Sequence, residues 1–331
     1  MDRCPIQDRG RTRTPMPDRR GCLWHVGEKE RITMRDTMPV TNMKSTDQVK
    51  VYQPGSQHVV GDGFHVRNLF PSNDLDRALS PFIMLDYAGP TFYPATDTPR
   101  GVGEHPHRGF ETVTIVYQGI VAHRDSAGNS GVIGPGDVQW MTAASGIVHE
   151  EFHEREWAKH GGTLQAIQLW VNLPKSSKMS APGYQTIVNE QIPVVQLDGG
   201  AGSLRVIAGS VGGAKGPAKT FTPIELYDVR LRAGRLMPLQ IPKGYNVGLL
   251  ILSGQASVEG SQRLSEAELA VFVSTGEPVT VSAEEDATIL VMAGEGIHEP
   301  VARYGPFVMN TKAELVQAVN DYQAGKMGHL S

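Results

Sequence analysis

The chain has 331 residues, of which 40% are hydrophobic and 20% charged, and its formal net charge is −4. This composition is typical of a soluble globular protein, and the length allows two domains. The slightly acidic balance argues against direct binding to nucleic acid. The apolar runs are too short to span a membrane, so we expect a cytoplasmic protein.

Residues 1–45 form a leader that is rich in Arg, Asp, Pro and Thr and has no lasting hydrophobic period. We expect this leader to be disordered, or to come from a start codon assigned too early, with translation beginning at Met34, Met38 or Met43. A secretory signal is not indicated, because the leader contains no continuous apolar core.

From residue 46 onward, short β-branched and aromatic segments alternate with Gly, Pro, Asn and Asp. Such segments are typical of strands joined by turns, and their number and spacing predict a β-sandwich or barrel. Two similar runs, residues 46–182 and 183–331, predict two all-β domains.

The chain ends in a predicted helix, because a capping box is followed by apolar residues at helical spacing and then by Gly325. We expect the apolar stripe of this helix to dock on one of the β domains. The capping box is Thr311-Lys312-Ala313-Glu314, and the stripe is Leu315, Val319 and Tyr322.

Two short motifs in the first domain predict a metal site. Residues i and i+2 of a strand point to the same face, so His105 and His107 can point inward together, and so can His149 and Glu151. Two such strands facing each other would supply three nitrogens and one oxygen to one ion. Both cysteines lie in the leader, which leaves His and carboxylate as donors. This set suits a divalent metal such as Fe, Mn, Ni, Cu or Zn.

Longer motifs around these residues resemble the signatures of the pirins, a family of the cupin superfamily. The resemblance runs from about residue 50 to the C-terminus and implies a bicupin: two cupin-type β-sandwich domains plus the C-terminal helix. It also implies that only the N-terminal domain binds metal. The motifs are His105-Pro106-His107-Arg108-Gly109-Phe110-Glu111, Pro135-Gly136-Asp137-Val138-Gln139-Trp140-Met141, Gly146-Ile147-Val148-His149-Glu150-Glu151, Leu169-Trp170-Val171-Asn172-Leu173 and Gly305-Pro306-Phe307-Val308-Met309-Asn310.

Carried over residue by residue, the resemblance makes His105, His107, His149 and Glu151 the metal ligands, with Fe(II) as the ion. Some bacterial pirins are quercetin 2,3-dioxygenases, which implies a small aromatic, flavonol-like substrate and O2. Glu151 would then also act as the catalytic base that takes the flavonol hydroxyl proton. Other pirins are described as metal-dependent regulators that bind a protein partner. A non-enzymatic regulator is therefore the alternative, and the fold alone does not decide between the two.

Five neighbouring residues are further candidates. We expect Glu111 to support the site or the structure rather than to bind metal. His123 and Asp125 either line the pocket or lie in a solvent-facing turn. Gln168 and Trp170 alternate with Leu169 and can reach the cavity, although core packing is the expectation for Trp170.

The segment from His149 to His153 also fits His-Glu-X-X-His, the pattern of zinc metallohydrolases. In that case His149 and His153 would bind zinc, and Glu150 would activate water. This chemistry needs a helix, whereas the preceding Gly146-Ile147-Val148 favours a strand. It would also leave the earlier histidine pair without a role, so we expect a strand with His153 outside the site.

Overall fold

A computed structural model describes residues 49–70, 75–260 and 263–330. The predicted leader, residues 1–45, and the suggested later start at Met34, Met38 or Met43 lie outside these residues. Within the described part, no helix is long and apolar enough to cross a membrane.

The first half of the chain is built mainly from twelve strands. They are β1 (Lys50–Tyr52), β2 (Gln57–Val60), β3 (Phe64–Phe70), β4 (Phe82–Tyr93), β5 (Gly101–His107), β6 (Phe110–Gln118), β7 (Val121–Asp125), β8 (Ser130–Ile133), β9 (Val138–Thr142), β10 (Ile147–His153), β11 (Gly162–Asn172) and β12 (Gly183–Ile187). Two short helices accompany them, α1 (Leu75–Ala78) and α2 (Arg155–His160).

The second half adds thirteen strands and one longer helix, α3 (Lys312–Gln323). The strands are β13 (Val194–Leu197), β14 (Gly202–Ala208), β15 (Ser210–Val211), β16 (Ala214–Lys215), β17 (Ile224–Leu231), β18 (Leu236–Leu239), β19 (Asn246–Ser253), β20 (Ala256–Val258), β21 (Leu269–Val273), β22 (Val279–Ala283), β23 (Ala287–Gly294), β24 (Ala302–Tyr304) and β25 (Phe307–Met309). Short 3-10 turns occupy Asn189–Gln191 and Asp198–Gly200.

Most of these strands form two sandwiches, each with one large and one small sheet, while β15-β16 and β24-β25 form separate two-stranded sheets. The first sandwich pairs the sheet β12-β9-β6-β11-β4-β3-β2 with the sheet β5-β10-β7-β8. The second pairs the sheet β1-β21-β19-β23-β17-β14-β13 with the sheet β18-β22-β20. The predicted all-β fold with two sandwiches and a C-terminal helix is confirmed.

The two sandwiches exchange edge strands. Lys50–Tyr52 lies in the large sheet of the second sandwich, where it pairs with β21, and Gly183–Ile187 lies in the first, where it pairs with β9. The expected division into 46–182 and 183–331 therefore differs from the sheets at both boundaries. The local pattern predicts a strand but not its partner, because the partner of an edge strand is set by tertiary packing.

The two large sheets pack on each other through a shared apolar core, but the interiors of the two sandwiches differ. The second interior is filled with buried apolar side chains such as Val229, Met237 and Leu249. The first interior contains buried polar side chains on facing sheets, namely Thr114, Gln139, His149 and Glu151. The first sandwich therefore holds the polar groups that a site requires.

The C-terminal helix docks on the first sandwich. Its predicted capping box is confirmed: the Thr311 hydroxyl accepts the N–H of Glu314 at 3.2 Å, and the Glu314 carboxylate accepts the N–H of Thr311 at 2.7 Å. Leu315 packs in a buried cluster with Val148 of β10. The predicted apolar stripe is only partly buried, because Tyr322 remains 39% exposed.

A buried lysine ties the first sandwich to the C-terminal segment. The Lys178 ammonium donates to the carbonyls of Gly109 at 2.7 Å and Val308 at 2.9 Å, and to the amide oxygen of Asn172 at 2.6 Å. Burial lowers the pKa of Lys178 to about 7. Three acceptors around one nitrogen match the three N–H donors of an ammonium group.

Lys178→Met should lower the free energy of unfolding by about 2–4 kcal/mol, because it leaves three buried oxygens without a donor. Chemical denaturation measures this change. The control is Lys326→Met, which removes an exposed ammonium paired with Asp321 at 2.8 Å and should cost less than about 1 kcal/mol. Equal effects of the two substitutions would contradict the stabilising role assigned to the hydrogen bonds of Lys178.

Candidate metal centre

The predicted ligands lie on two neighbouring strands of the small sheet of the first sandwich. β5 and β10 are antiparallel, with His149 opposite His105 and Ile147 opposite His107. On the other side of β10, Asp125 of β7 lies opposite His149. A register shift between His149 and Glu151 interrupts the pairing with β5. Such irregularities can change the direction in which a side chain points.

The structure brings three imidazoles together. The ring centroids are 4.2 Å apart for His105 and His149, 4.8 Å for His105 and His107, and 4.9 Å for His107 and His149. One nitrogen of each ring lies within 4.8 Å of the other two. In the part of the chain that the structure describes, such donor clusters occur only in the first sandwich.

Glu151 belongs to an overlapping cluster with His149 and His123, again within 4.8 Å. Its Oε2 accepts the amide N–H of Gln168 at 2.7 Å. Its Oε1 accepts from the Thr114 hydroxyl and from the Gln139 amide, each at 3.3 Å. The large sheet thus holds the carboxylate beside His149, and Gln168 contacts the site directly.

The hydrogen bonds of the imidazoles leave nitrogens that suit a cation. The Nδ1 of His105 lies 2.8 Å from the carbonyl of Gly103, and that of His107 lies 3.4 Å from the carbonyl of Pro306. A carbonyl only accepts, so each Nδ1 carries the proton and each Nε2 keeps its lone pair. The Nε2 of His149 is buried and has no hydrogen-bond partner.

Burial keeps these rings neutral. It lowers the pKa of His107 and of His149 well below the ordinary value, and the neighbouring imidazoles lower it further. Burial also lowers the pKa of His105, an effect that the Gly103 carbonyl and the nearby Glu151 carboxylate partly offset. Neutral imidazoles are the form that binds metal.

Two further polar side chains of the large sheet contact the site, and neither was among the predicted site residues. They are Thr114 of β6 and Gln139 of β9. The available signal was weak, because a polar residue in a mostly apolar strand does not by itself indicate what its side chain contacts. The sequence left two positions open for His123 and Asp125, the pocket or a solvent-facing turn. Both residues are buried, and the Nδ1 atoms of His123 and His149 lie 3.3 Å apart.

The zinc metallohydrolase interpretation is wrong, because Ile147–His153 is a strand rather than a helix. The Nε2 of His153 lies 2.8 Å from the carbonyl of Gly63. Its ring packs edge-on against Tyr93, with centroids 4.6 Å apart. His153 is therefore outside the imidazole cluster, as expected for the strand.

Comparisons with known proteins agree with this architecture. The family model Pirin matches residues 63–171, and the model of the Pirin C-terminal cupin domain matches residues 226–328. A Pseudomonas aeruginosa protein named "Putative quercetin 2,3-dioxygenase" is 50% identical over 276 residues, which cover 83% of this chain and 96% of that protein. The chain belongs to the pirin family.

Two further comparisons extend over most of the chain. Pirin of Mus musculus is 35% identical over 292 residues, which cover 86% of this chain and 96% of that protein. The crystal structure of a quercetin 2,3-dioxygenase from Acinetobacter baumannii has a TM-score of 0.81 and 48% sequence identity, covering 85% of this chain and 98% of that chain. The predicted pirin resemblance and the bicupin fold are confirmed.

Two candidate residues of this pirin, Glu111 and Trp170, have structural roles. Glu111 accepts the Thr142 hydroxyl at 2.7 Å through Oε1, while its Oε2 is buried without a partner. Trp170 stacks on Phe110, with centroids 4.2 Å apart, and meets the edge of His107 at 5.2 Å. The packing expected for Trp170 thus also braces one of the imidazoles.

Glu111 should make stability depend on pH, because burial raises its pKa from 4.5 to about 7 despite the hydrogen bond from Thr142. The folded chain binds this proton more tightly than the unfolded chain. Its stabilising contribution is complete below pH 4.5 and is lost as the pH rises through 7. Glu111→Gln should therefore reduce the fall in unfolding free energy over this range by about 1–3 kcal/mol.

Denaturation at several pH values measures this slope. Glu190→Gln, which changes an exposed carboxylate, is the control and should leave the slope unaltered. A Glu111→Gln variant whose stability falls with pH as steeply as that of the unmutated chain would refute the assignment.

Proposed function

We propose that this pirin is a metal-dependent dioxygenase that cleaves a flavonol such as quercetin with O2. The proposed ligands are His105, His107, His149 and Glu151, and the proposed ion is Fe(II). The observation that carries the proposal is the buried, unpartnered Nε2 of His149, which lies among two further imidazoles. An orphaned buried acceptor costs about 1–3 kcal/mol, and a bound cation would remove that cost.

The donor set supports a single transition-metal ion. Three neutral nitrogens and one carboxylate suit a borderline divalent metal, and in octahedral geometry two positions stay open for reactants. When bound, such an ion supplies Lewis acidity toward an enol oxygen. The names of the Pseudomonas and Acinetobacter relatives support flavonol cleavage as the reaction.

The chain's own residues would orient the substrate and accept its proton. Glu151 is the proposed base, because its two oxygens are fixed by Gln168, Thr114 and Gln139 and still have lone pairs for one more proton. His105 is only half-buried, and the adjacent Gly103 and Glu104 are exposed. The substrate hydroxyl would therefore approach over β5.

The first experiment is anaerobic loading with Fe(II), followed by exposure to quercetin and air. The proposal expects release of carbon monoxide together with loss of the flavonol absorbance. His105→Ala should lower both the bound iron and the rate, the rate by at least about 100-fold. His160→Ala changes an exposed histidine on α2 and should behave as the unmutated chain.

Iron bound at one equivalent without carbon monoxide formation would contradict the dioxygenase proposal. Turnover that His105→Ala leaves unchanged would contradict the assigned site.

Glu151→Gln separates the two roles proposed for this residue. If Glu151 acts as base, the variant should keep its iron and lose turnover by about 100-fold or more, in the range typical of a general base. Metal analysis of the purified variant together with the rate of flavonol loss measures both. Loss of iron and turnover in proportion would show that Glu151 serves as a ligand alone.

A further inference from the structure

His123 and Asp125 form a buried hydrogen-bonded row behind the imidazole cluster. The Nδ1 of His149 lies 3.3 Å from the Nδ1 of His123, and the Nε2 of His123 lies 3.4 Å from Oδ2 of Asp125. All three residues are at least 95% buried. Since water is excluded, each of these nitrogens depends on the protein for a partner.

Asp125 is fixed as an acceptor. Its Oδ1 accepts the backbone N–H groups of Ala127 at 2.9 Å and Asn129 at 3.0 Å, and the Asn129 side chain donates to both of its oxygens. A carboxylate with these donors faces His123 with a lone pair. The Nε2 of His123 must therefore carry the proton.

The contacts of Gln139 agree with this assignment of the His123 tautomer. The Tyr184 hydroxyl donates to Oε1 of Gln139 at 3.1 Å, and the Glu151 carboxylate needs a donor from Nε2 of Gln139. The same amide nitrogen lies 3.4 Å from the Nδ1 of His123. An amide nitrogen only donates, so this Nδ1 is an acceptor.

With the Nδ1 of His123 as acceptor, the facing Nδ1 of His149 must carry its proton, and the Nε2 of His149 keeps its lone pair. Tyr184 holds the His123 ring in this orientation by stacking on it at 4.9 Å and 17°. We infer that Asp125 and His123 are positioning residues that lock His149 in the Nδ1–H tautomer and so present its Nε2 to the metal. The inference rests on the proposed metal site, which it deepens.

Asp125→Asn tests the row, because the structure dictates how the new amide would sit. Two backbone N–H groups hold the oxygen at the position of Oδ1, so the new NH2 would face His123 in place of Oδ2. The new NH2 would face the Nε2–H of His123 donor to donor. We expect His123 to relieve this contact by accepting at Nε2 and donating at Nδ1, at the expense of its contact with the Gln139 amide, and His149 then takes the Nε2–H tautomer. That tautomer offers no lone pair at the cluster.

The first readout uses metal-free protein with 15N-labelled histidine, in which long-range proton–nitrogen NMR distinguishes the two tautomers. His149→Gln identifies the signals of His149. The unmutated chain should show His149 as Nδ1–H, and Asp125→Asn should convert it to Nε2–H. The second readout is the Kd of cobalt(II), which should weaken by about 10- to 100-fold in the variant.

Asp137→Asn is the matched control. Asp137 also caps a turn of the first sandwich, where it accepts the N–H groups of Gly134 and Asn189 at 2.8 Å each. It should alter neither the tautomer nor the Kd for cobalt(II). If Asp125→Asn does not fold, His123→Phe keeps the packing on Tyr184 and should still weaken cobalt(II) binding.

An Nε2–H tautomer in the unmutated chain would overturn the inference, as would unchanged cobalt(II) binding in folded Asp125→Asn or His123→Phe. A third outcome separates the two proposals. If His149 is Nδ1–H and Asp125→Asn converts it, but the unmutated chain binds no metal, the hydrogen-bonded row is supported and the proposed function is contradicted.

Discussion

The first sandwich depends on the hydrogen bonds that keep polar groups inside a β core. His149 and Glu151 lie on the same bulged strand, and the large sheet supplies donors to the carboxylate. His123 supplies a partner to one nitrogen of His149. Because nearly every buried polar atom in a protein is paired, the buried Nε2 of His149, which has no hydrogen-bond partner and belongs to the cluster of three imidazoles, marks the place where an ion would complete the network.

The second sandwich shows what the same architecture does without this requirement. Its large and small sheets enclose side chains such as Tyr227, Leu249 and Val291, which form one apolar core. Such an interior is stabilised mainly by the burial of apolar surface. The first sandwich gives up part of that burial for imidazoles, amides and a carboxylate. Its stability therefore relies more on the shared core between the large sheets and on the hydrogen bonds of the buried Lys178 ammonium.

Much of this arrangement could be predicted from the sequence, and the exceptions have physical causes. The two-residue period of a strand predicted that His105 and His107 share one face, and the capping box predicted that the helix starts at Thr311. Strand exchange at both domain boundaries was not predictable, because pairing partners lie far apart in sequence. The network around Gln139 was also missed, since a lone polar residue in an apolar strand does not indicate its contacts.

The C-terminal segment that follows the second sandwich also contributes to the site, although the described donor clusters all lie in the first sandwich. Arg108, next to His107, bridges to Phe307 and forms an ion pair with Asp321 at 2.9 Å. The carbonyl of Pro306 faces the Nδ1 of His107. The C-terminal segment thus fixes the end of β5 and the tautomer of one proposed ligand. Without this hydrogen bond, the His107 ring could rotate and lose its orientation. The geometry of the site therefore depends on both halves of the chain. An isolated first domain would lack a hydrogen-bond partner for His107.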